Sequence, residues 1–175
     1  MPRTHAKIKP VEEPPKVPAR LRDVPEILQT YDPGHPRWRM SAEADLTILV
    51  TEGSPEPLVE TVGLEPDKKW AKGDVFGPTR RGRRPYTGIS YASRLDGKCS
   101  PTEHVSDLVE RLRPFVTGIA ALSARPTTHG ITLWVVEHTR AYDRQIDLDP
   151  ADLTVIGAMG ARLSLDLYVY PDDEE

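Results

Sequence analysis

The sequence predicts an α+β fold: a two-layer sandwich of ferredoxin-like type, with a four-stranded, largely antiparallel sheet and its helices on one face. Two observations predict it, although the elements read strand, helix, strand, helix, strand, helix, strand, an alternation that usually suggests a parallel sheet covered on both faces. The strands alternate apolar and polar residues, as half-buried strands do; a parallel sheet covered on both faces would read as continuous apolar runs. The longest helix carries a single apolar stripe at a 3.6-residue period.

Residues 1–36 are expected to form an extended or disordered arm. Eight of the 18 prolines fall there, at Pro2, Pro10, Pro14, Pro15, Pro18, Pro25, Pro33 and Pro36. Such a stretch favours polyproline-like backbone and buries little. Val24 to Tyr31 could form a short helix that docks on the body or on a partner. Residues 37–171 are expected to form a single domain, about 135 residues and long enough to bury a sizeable core. Residues 172–175 are an acidic tail.

In residues 41–51, Ala44, Leu46, Ile48 and Val50 alternate with Asp45, Thr47, Leu49 and Thr51, which predicts the first strand. Ser54-Pro55 opens a short helix with Leu58, Val59 and Val62 inward, and Gly63 ends it. Residues 65–85 form a long basic connection. A structureless loop of that length is uncommon and often functional. Residues 86–94 form the second strand, with Ile89 and Tyr91 on one face. Ser100-Pro101-Thr102-Glu103 is a capping box with proline at the first helical position. The stripe that follows is Val105, Leu108, Val109, Leu112, Phe115, Val116, Ile119 and Leu122, with Pro114 set to kink or split the helix. Residues 131–138 form the third strand. Asp149-Pro150 caps the last helix, which Gly157 and Gly160 end. Leu163, Leu165 and Leu167 then alternate with Ser164, Asp166, Tyr168 and Tyr170 in the fourth strand.

The net charge of −4 is segregated along the chain. Residues 41–64 hold five acids and no Lys or Arg, whereas residues 65–84 hold seven bases and three acids. A whole-surface basic field is therefore absent, and any nucleic acid would have to bind a local patch. Cys99 is alone, so no intramolecular disulfide framework exists. The apolar runs fall short of the ~18 residues of a membrane span. No apolar stretch follows the basic N-terminus as in a secretory signal. The expected setting is the cytoplasm, with no membrane partner.

Two groups of residues are candidates for binding. Arg80, Arg81, Arg83 and Arg84 crowd one loop, with Trp70 nearby in sequence. Guanidinium groups pair bidentately with phosphate or carboxylate, and an aromatic neighbour suits single-stranded nucleic acid, a nucleotide or an acidic protein face. The competing reading is a solvated loop. The second group is the outer face of the sheet. If Leu163, Leu165 and Leu167 face the helices, then Asp166, Tyr168 and Tyr170 face away, together with Trp134 and His138 of the third strand. Aromatics on an uncovered sheet suit a partner. The competing reading is that the arm covers them.

No catalytic residue, metal site or cofactor is expected. Glu137 and His138 are adjacent and point to opposite faces of a strand. His5, His35, His104 and His129 show no metal-ligand spacing. Gly73, Gly77 and Gly82 form no phosphate loop before a helix. Asp147, Asp149 and Asp152 lack the glycine and final glutamate of a calcium loop.

Three pieces carry a resemblance: the stretch VGLEPDKKWAKGD, the strand RRPYTGISYAS, and the ending LDPADLTVIGAMGARLSLDLYVY. The chain resembles the bacterial family catalogued as domain of unknown function 4279. The shared positions are Gly63, Leu64, Pro66, Lys72, Gly73 and Asp74, then Leu153, Gly160, Leu163, Leu165, Asp166, Leu167 and Tyr168. The resemblance spans residues 42–171 and implies one bacterial α+β domain. It brings no activity, cofactor or catalytic residue. The crowded arginine loop departs from the family pattern.

The expected function is a non-catalytic interaction module, an accessory or immunity-like protein that binds a protein partner. The alternative is binding of nucleic acid or a phosphate ligand through the basic loop 68–84.

Overall fold

A computed structural model describes residues 41–76, 82–139 and 146–169 of the chain. The expected arm and acidic tail lie outside the described residues, as do Arg80, Arg81 and Tyr170. The described elements are β1 (Ser41–Val50), α1 (Glu56–Val62), β2 (Lys68–Trp70), β3 (Thr87–Ala92), α2 (Pro101–Leu112), a 3₁₀ turn (Arg113–Phe115), α3 (Val116–Ser123), β4 (Thr128–Thr139), α4 (Pro150–Ala158) and β5 (Arg162–Val169).

The architecture is α+β, and the sheet is five-stranded, in the order β2-β3-β1-β4-β5. Two corrections to the sequence reading follow. A fifth strand is present, because Lys68–Trp70 pairs antiparallel with β3 inside the predicted loop. The sheet is also mixed: β1 pairs antiparallel with β3 and with β4, but β4 and β5 run parallel. Helix α4 connects β4 to β5, and a crossover of that kind returns the chain in the same direction. The four-stranded, ferredoxin-like arrangement expected from the sequence has neither feature.

The helices gather on one face of the sheet. Leu46 and Ile48 of β1, Ile89 and Tyr91 of β3, and Leu133 and Val135 of β4 join Val105, Leu108, Leu112, Ile119, Ile156 and Met159 in one buried cluster. The opposite strand positions carry the sheet's other face, and no described helix covers it. Ser100 caps α2: it accepts from the Glu103 N–H, while the Glu103 carboxylate accepts from the Ser100 N–H at 2.7 Å. Pro114 splits the long helix as its geometry demands, leaving the 3₁₀ turn between α2 and α3. Helix α4 passes through Gly157 and ends at Ala158, one residue beyond the first glycine. Gly118 brings α3 against α1, since a Cβ there would meet the Thr61 carbonyl and lie 2.9 Å from the Val62 Cα.

Leu163, Leu165 and Leu167 are in register with Leu133, Val135 and Glu137, and so share the helix side of the sheet. Their depth differs from expectation. β5 is an edge strand, and Leu165 keeps 50% of its surface exposed and Leu167 46%. Leu165 is therefore not a central core residue; Leu133, fully buried, is.

Candidate functional site

The pairing registers place the open face row by row. Lys68, Ser90, Thr47, Thr132 and Arg162 form one row across all five strands. Asp45, Trp134 and Ser164 form the next, then Glu43, Val136 and Asp166, then Ser41, His138 and Tyr168. The sequence-predicted residues Trp134, His138, Asp166 and Tyr168 thus lie together on β4 and β5. His138 stacks on Tyr168 with ring centroids 4.8 Å apart and planes 11° apart. Trp134 and Tyr168 remain 38% and 37% exposed. Burial holds the His138 imidazole below its ordinary value of 6.5, with the Glu43 carboxylate opposing in part.

Trp70 belongs to the other end of the same face. It lies over Gly88 of β3, where an added Cβ would come 2.5 Å from the indole ring. The Arg84 guanidinium lies 4.2 Å over the Trp70 ring and 5.1 Å from the Phe76 ring centre. The stems of the basic loop are tied together beneath it. Val75 and Arg83 form an antiparallel bridge, the Arg84 N–H donates to the Asp74 carbonyl at 2.8 Å, and the Arg84 carbonyl accepts from the Gly73 N–H at 2.9 Å. Arg83 donates to the Gly73 carbonyl at 2.7 Å, so its guanidinium is engaged in holding the loop. Arg84 makes no ion pair among the described residues. These parts enclose a cleft of about 490 Å³, with Lys68, Thr47 and Ser90 on its sheet floor and Asp45 at its inner end. Asp45 accepts from Thr47 Oγ1 at 2.8 Å, and burial pushes its carboxyl above the ordinary 3.8.

The chain belongs to the family described as Domain of unknown function (DUF4279), whose model matches residues 39–170. No curated protein and no solved structure matches it. In this DUF4279 domain Gly63 and Leu163, two of the residues that carried the resemblance in the sequence, have structural roles: Gly63 closes α1 at φ 80°, and Leu163 packs against the core. Asp166 and Tyr168, two more of those residues, reach the open face.

Sequence reasoning missed one partly buried polar chain in the domain. Ser93 Oγ lies 2.9 Å from Asp107 Oδ2 and 3.0 Å from His104 Nδ1. A carboxylate can only accept, so the serine proton goes to Asp107 and the His104 Nδ1–H donates to the serine. That order is wrong for a hydrolytic triad, in which the histidine must take the serine proton. Arg111 and Asp67 were also unforeseen; they make a bidentate pair at 2.6 and 3.1 Å that ties α2 to the segment leading into β2. Their sequence separation of 44 residues gives no local signal. Glu137 and His138 point to opposite faces as expected, with Glu137 buried on the helix side. Among the described residues no three His, Cys, Asp or Glu side chains gather as metal ligands, and no helix is long and apolar enough to cross a membrane.

Proposed function

We propose that this domain is a non-catalytic interaction module, an accessory or immunity-like bacterial protein of the cytoplasm, and that its open sheet face receives a protein partner. The observation that carries this reading is the aromatic ridge along β4 and β5. Trp134, Val136 and the stacked His138–Tyr168 pair run along it for roughly 13 Å, four residues of strand rise. Partner surfaces are built in this way, with aromatic anchors at the centre and charged groups at the rim. The rim here is Glu43, Asp166 and Arg162.

The test is affinity capture with the full chain as bait, in native lysate with and without nuclease, followed by titration of the purified partner. Trp134→Ala or Tyr168→Ala is expected to weaken binding by ~2–4 kcal/mol if the residue is a central anchor. Removing the charges of Arg80, Arg81, Arg83 and Arg84 is expected mainly to slow association. The competing reading is nucleic-acid or phosphate-ligand binding through the loop 68–84. It gains support if binding weakens steeply with salt and the arginine variant loses it. Retention of the partner by both aromatic variants defeats the module reading.

A further inference from the structure

The cleft at the β2 end of the open face uses residues other than the aromatic ridge, and its chemistry is different. Arg84 is held in place before any ligand arrives. Its guanidinium carbon lies over the Trp70 ring at 4.2 Å and 5.1 Å from the Phe76 ring centre, and its main chain is fixed on both sides by the paired loop stems. The aromatic contacts hold the group, and its N–H donors are the binding element. Among the described residues those donors make no hydrogen bond and meet no carboxylate. A guanidinium immobilised by aromatics but left unpaired is pre-organised for a bidentate oxyanion, because the side-chain ordering is already done. Gly88 makes the arrangement possible, since any side chain there would lift Trp70 off the sheet. Lys68 adds a second positive charge on the floor of the same cleft.

The rest of the lining limits what the anion can be attached to. Leu49, Pro85 and Tyr86 supply apolar wall, and Tyr86 is itself held by a stack on His129 with centroids 4.0 Å apart. The volume of about 490 Å³ suits one small molecule. Asp45 at the inner end, with Glu43 on the next row of the sheet, opposes a second negative group. A polyanionic strand laid across the face would meet both.

We propose that this cleft binds a small organic anion with a flat apolar body, its carboxylate or phosphate monoester paired with the Arg84 guanidinium edge and the Lys68 ammonium. The pairing is non-covalent. It deepens the phosphate-ligand reading of the loop 68–84 and does not depend on the ridge of Trp134 and Tyr168, so it and the partner reading stand or fall separately.

The test is an NMR titration of the full chain with labelled indole and guanidinium nitrogens. The probes are benzoate and phenyl phosphate, with phenol, inorganic phosphate, a short acidic peptide and a short single-stranded oligonucleotide as comparisons. Benzoate or phenyl phosphate should shift the Trp70 indole and Arg84 Nε signals saturably, and phenol should not. Whichever of the two binds more tightly identifies the oxyanion as carboxylate or phosphate. Arg84→Gln should weaken binding about tenfold or more, and Arg84→Lys should fail to restore it, because an ammonium cannot form the planar fork. Arg113→Gln, remote from the cleft, should change nothing. Several results overturn the proposal: no saturable binding of either aromatic anion, equal binding of phenol, inorganic phosphate as tight as phenyl phosphate, or Arg84→Gln without effect. Tighter binding of the oligonucleotide or of the acidic peptide than of either aromatic anion overturns the assignment to a small ligand.

Discussion

Trp70 rests on Gly88, one strand away, with no room for a methyl group between them: a Cβ at position 88 would lie 2.5 Å from the indole and 2.8 Å from the Leu49 side chain. Gly88→Ala is therefore expected to push Trp70 outward and to separate it from Arg84. Overpacking of this kind costs ~1–3 kcal/mol. Chemical denaturation measures the loss, and the Trp70 indole resonance should move even where the fold survives.

Leu133 and Leu165 both lie on the helix side of the sheet, yet one is fully buried and the other is half exposed on an edge strand. Leu133→Ala should cost ~2–5 kcal/mol. Leu165→Ala should cost about 1 kcal/mol or less, because much of its surface is already in water. Denaturation midpoints at equal m-value decide the comparison; equal losses would place β5 deeper than described.

Gly118→Ala tests the contact between α1 and α3. The obstacle to a methyl group is backbone, the Thr61 carbonyl and the Val62 Cα, and backbone cannot rotate away as a side chain can. The helix-propensity gain of up to ~1 kcal/mol from replacing glycine should be outweighed, leaving a net loss of stability. A variant with a raised melting temperature would show that the two helices part easily.

Acid should weaken the domain through Asp67. The hydrogen-bonded Arg111 guanidinium, helped by the Ala92 N–H, holds its carboxyl below the ordinary 3.8. The folded value lies under the unfolded one. The stabilisation is therefore complete above about the unfolded value and is lost as pH falls through the folded value. Asp67→Asn should flatten the acid limb of the stability curve, with little further loss below it. Asp45 works in the opposite sense. Burial raises its folded value above 3.8, so its contribution is most favourable at low pH and declines as pH rises through the folded value. Asp45→Asn should leave the neutral-pH domain no less stable. Urea denaturation across the acid range, for wild type and both variants, checks the two signs.

Side-chain alternation was the most legible part of this sequence. It placed Leu46 and Ile48 on the dry face of the first strand and, once Leu163, Leu165 and Leu167 were set against the helices, Trp134, His138, Asp166 and Tyr168 on the other face; the run Leu133-Trp134 is apolar at both positions and left the parity of the third strand open. The capping box at Ser100 and the break at Pro114 were equally plain, because each is a local matter of backbone valence. Lys68–Trp70 was illegible as a strand: three residues, two of them lysine, carry no alternation, and their pairing depends on β3. The direction of β5 was hidden as well, since the same dry-and-wet pattern serves a strand running either way. Edge position leaves Leu165 half exposed on the helix side although it has the periodicity of a core residue. At the cleft, Arg84 and Trp70 were visible as a basic loop with an aromatic neighbour. The third member, Phe76, and the glycine beneath them acquire meaning only once the loop folds back on the sheet.

The register has a consequence for how such a domain can change over time. Along β4, Ile131, Leu133 and Val135 answer to the helices, while Thr132, Trp134 and Val136 answer to whatever approaches from outside. Each of the latter can be exchanged without renegotiating the interior. A lineage could therefore replace its partner one outward residue at a time on a scaffold whose folding instructions stay constant, and a designer could randomise those same rows as a library with the core left untouched.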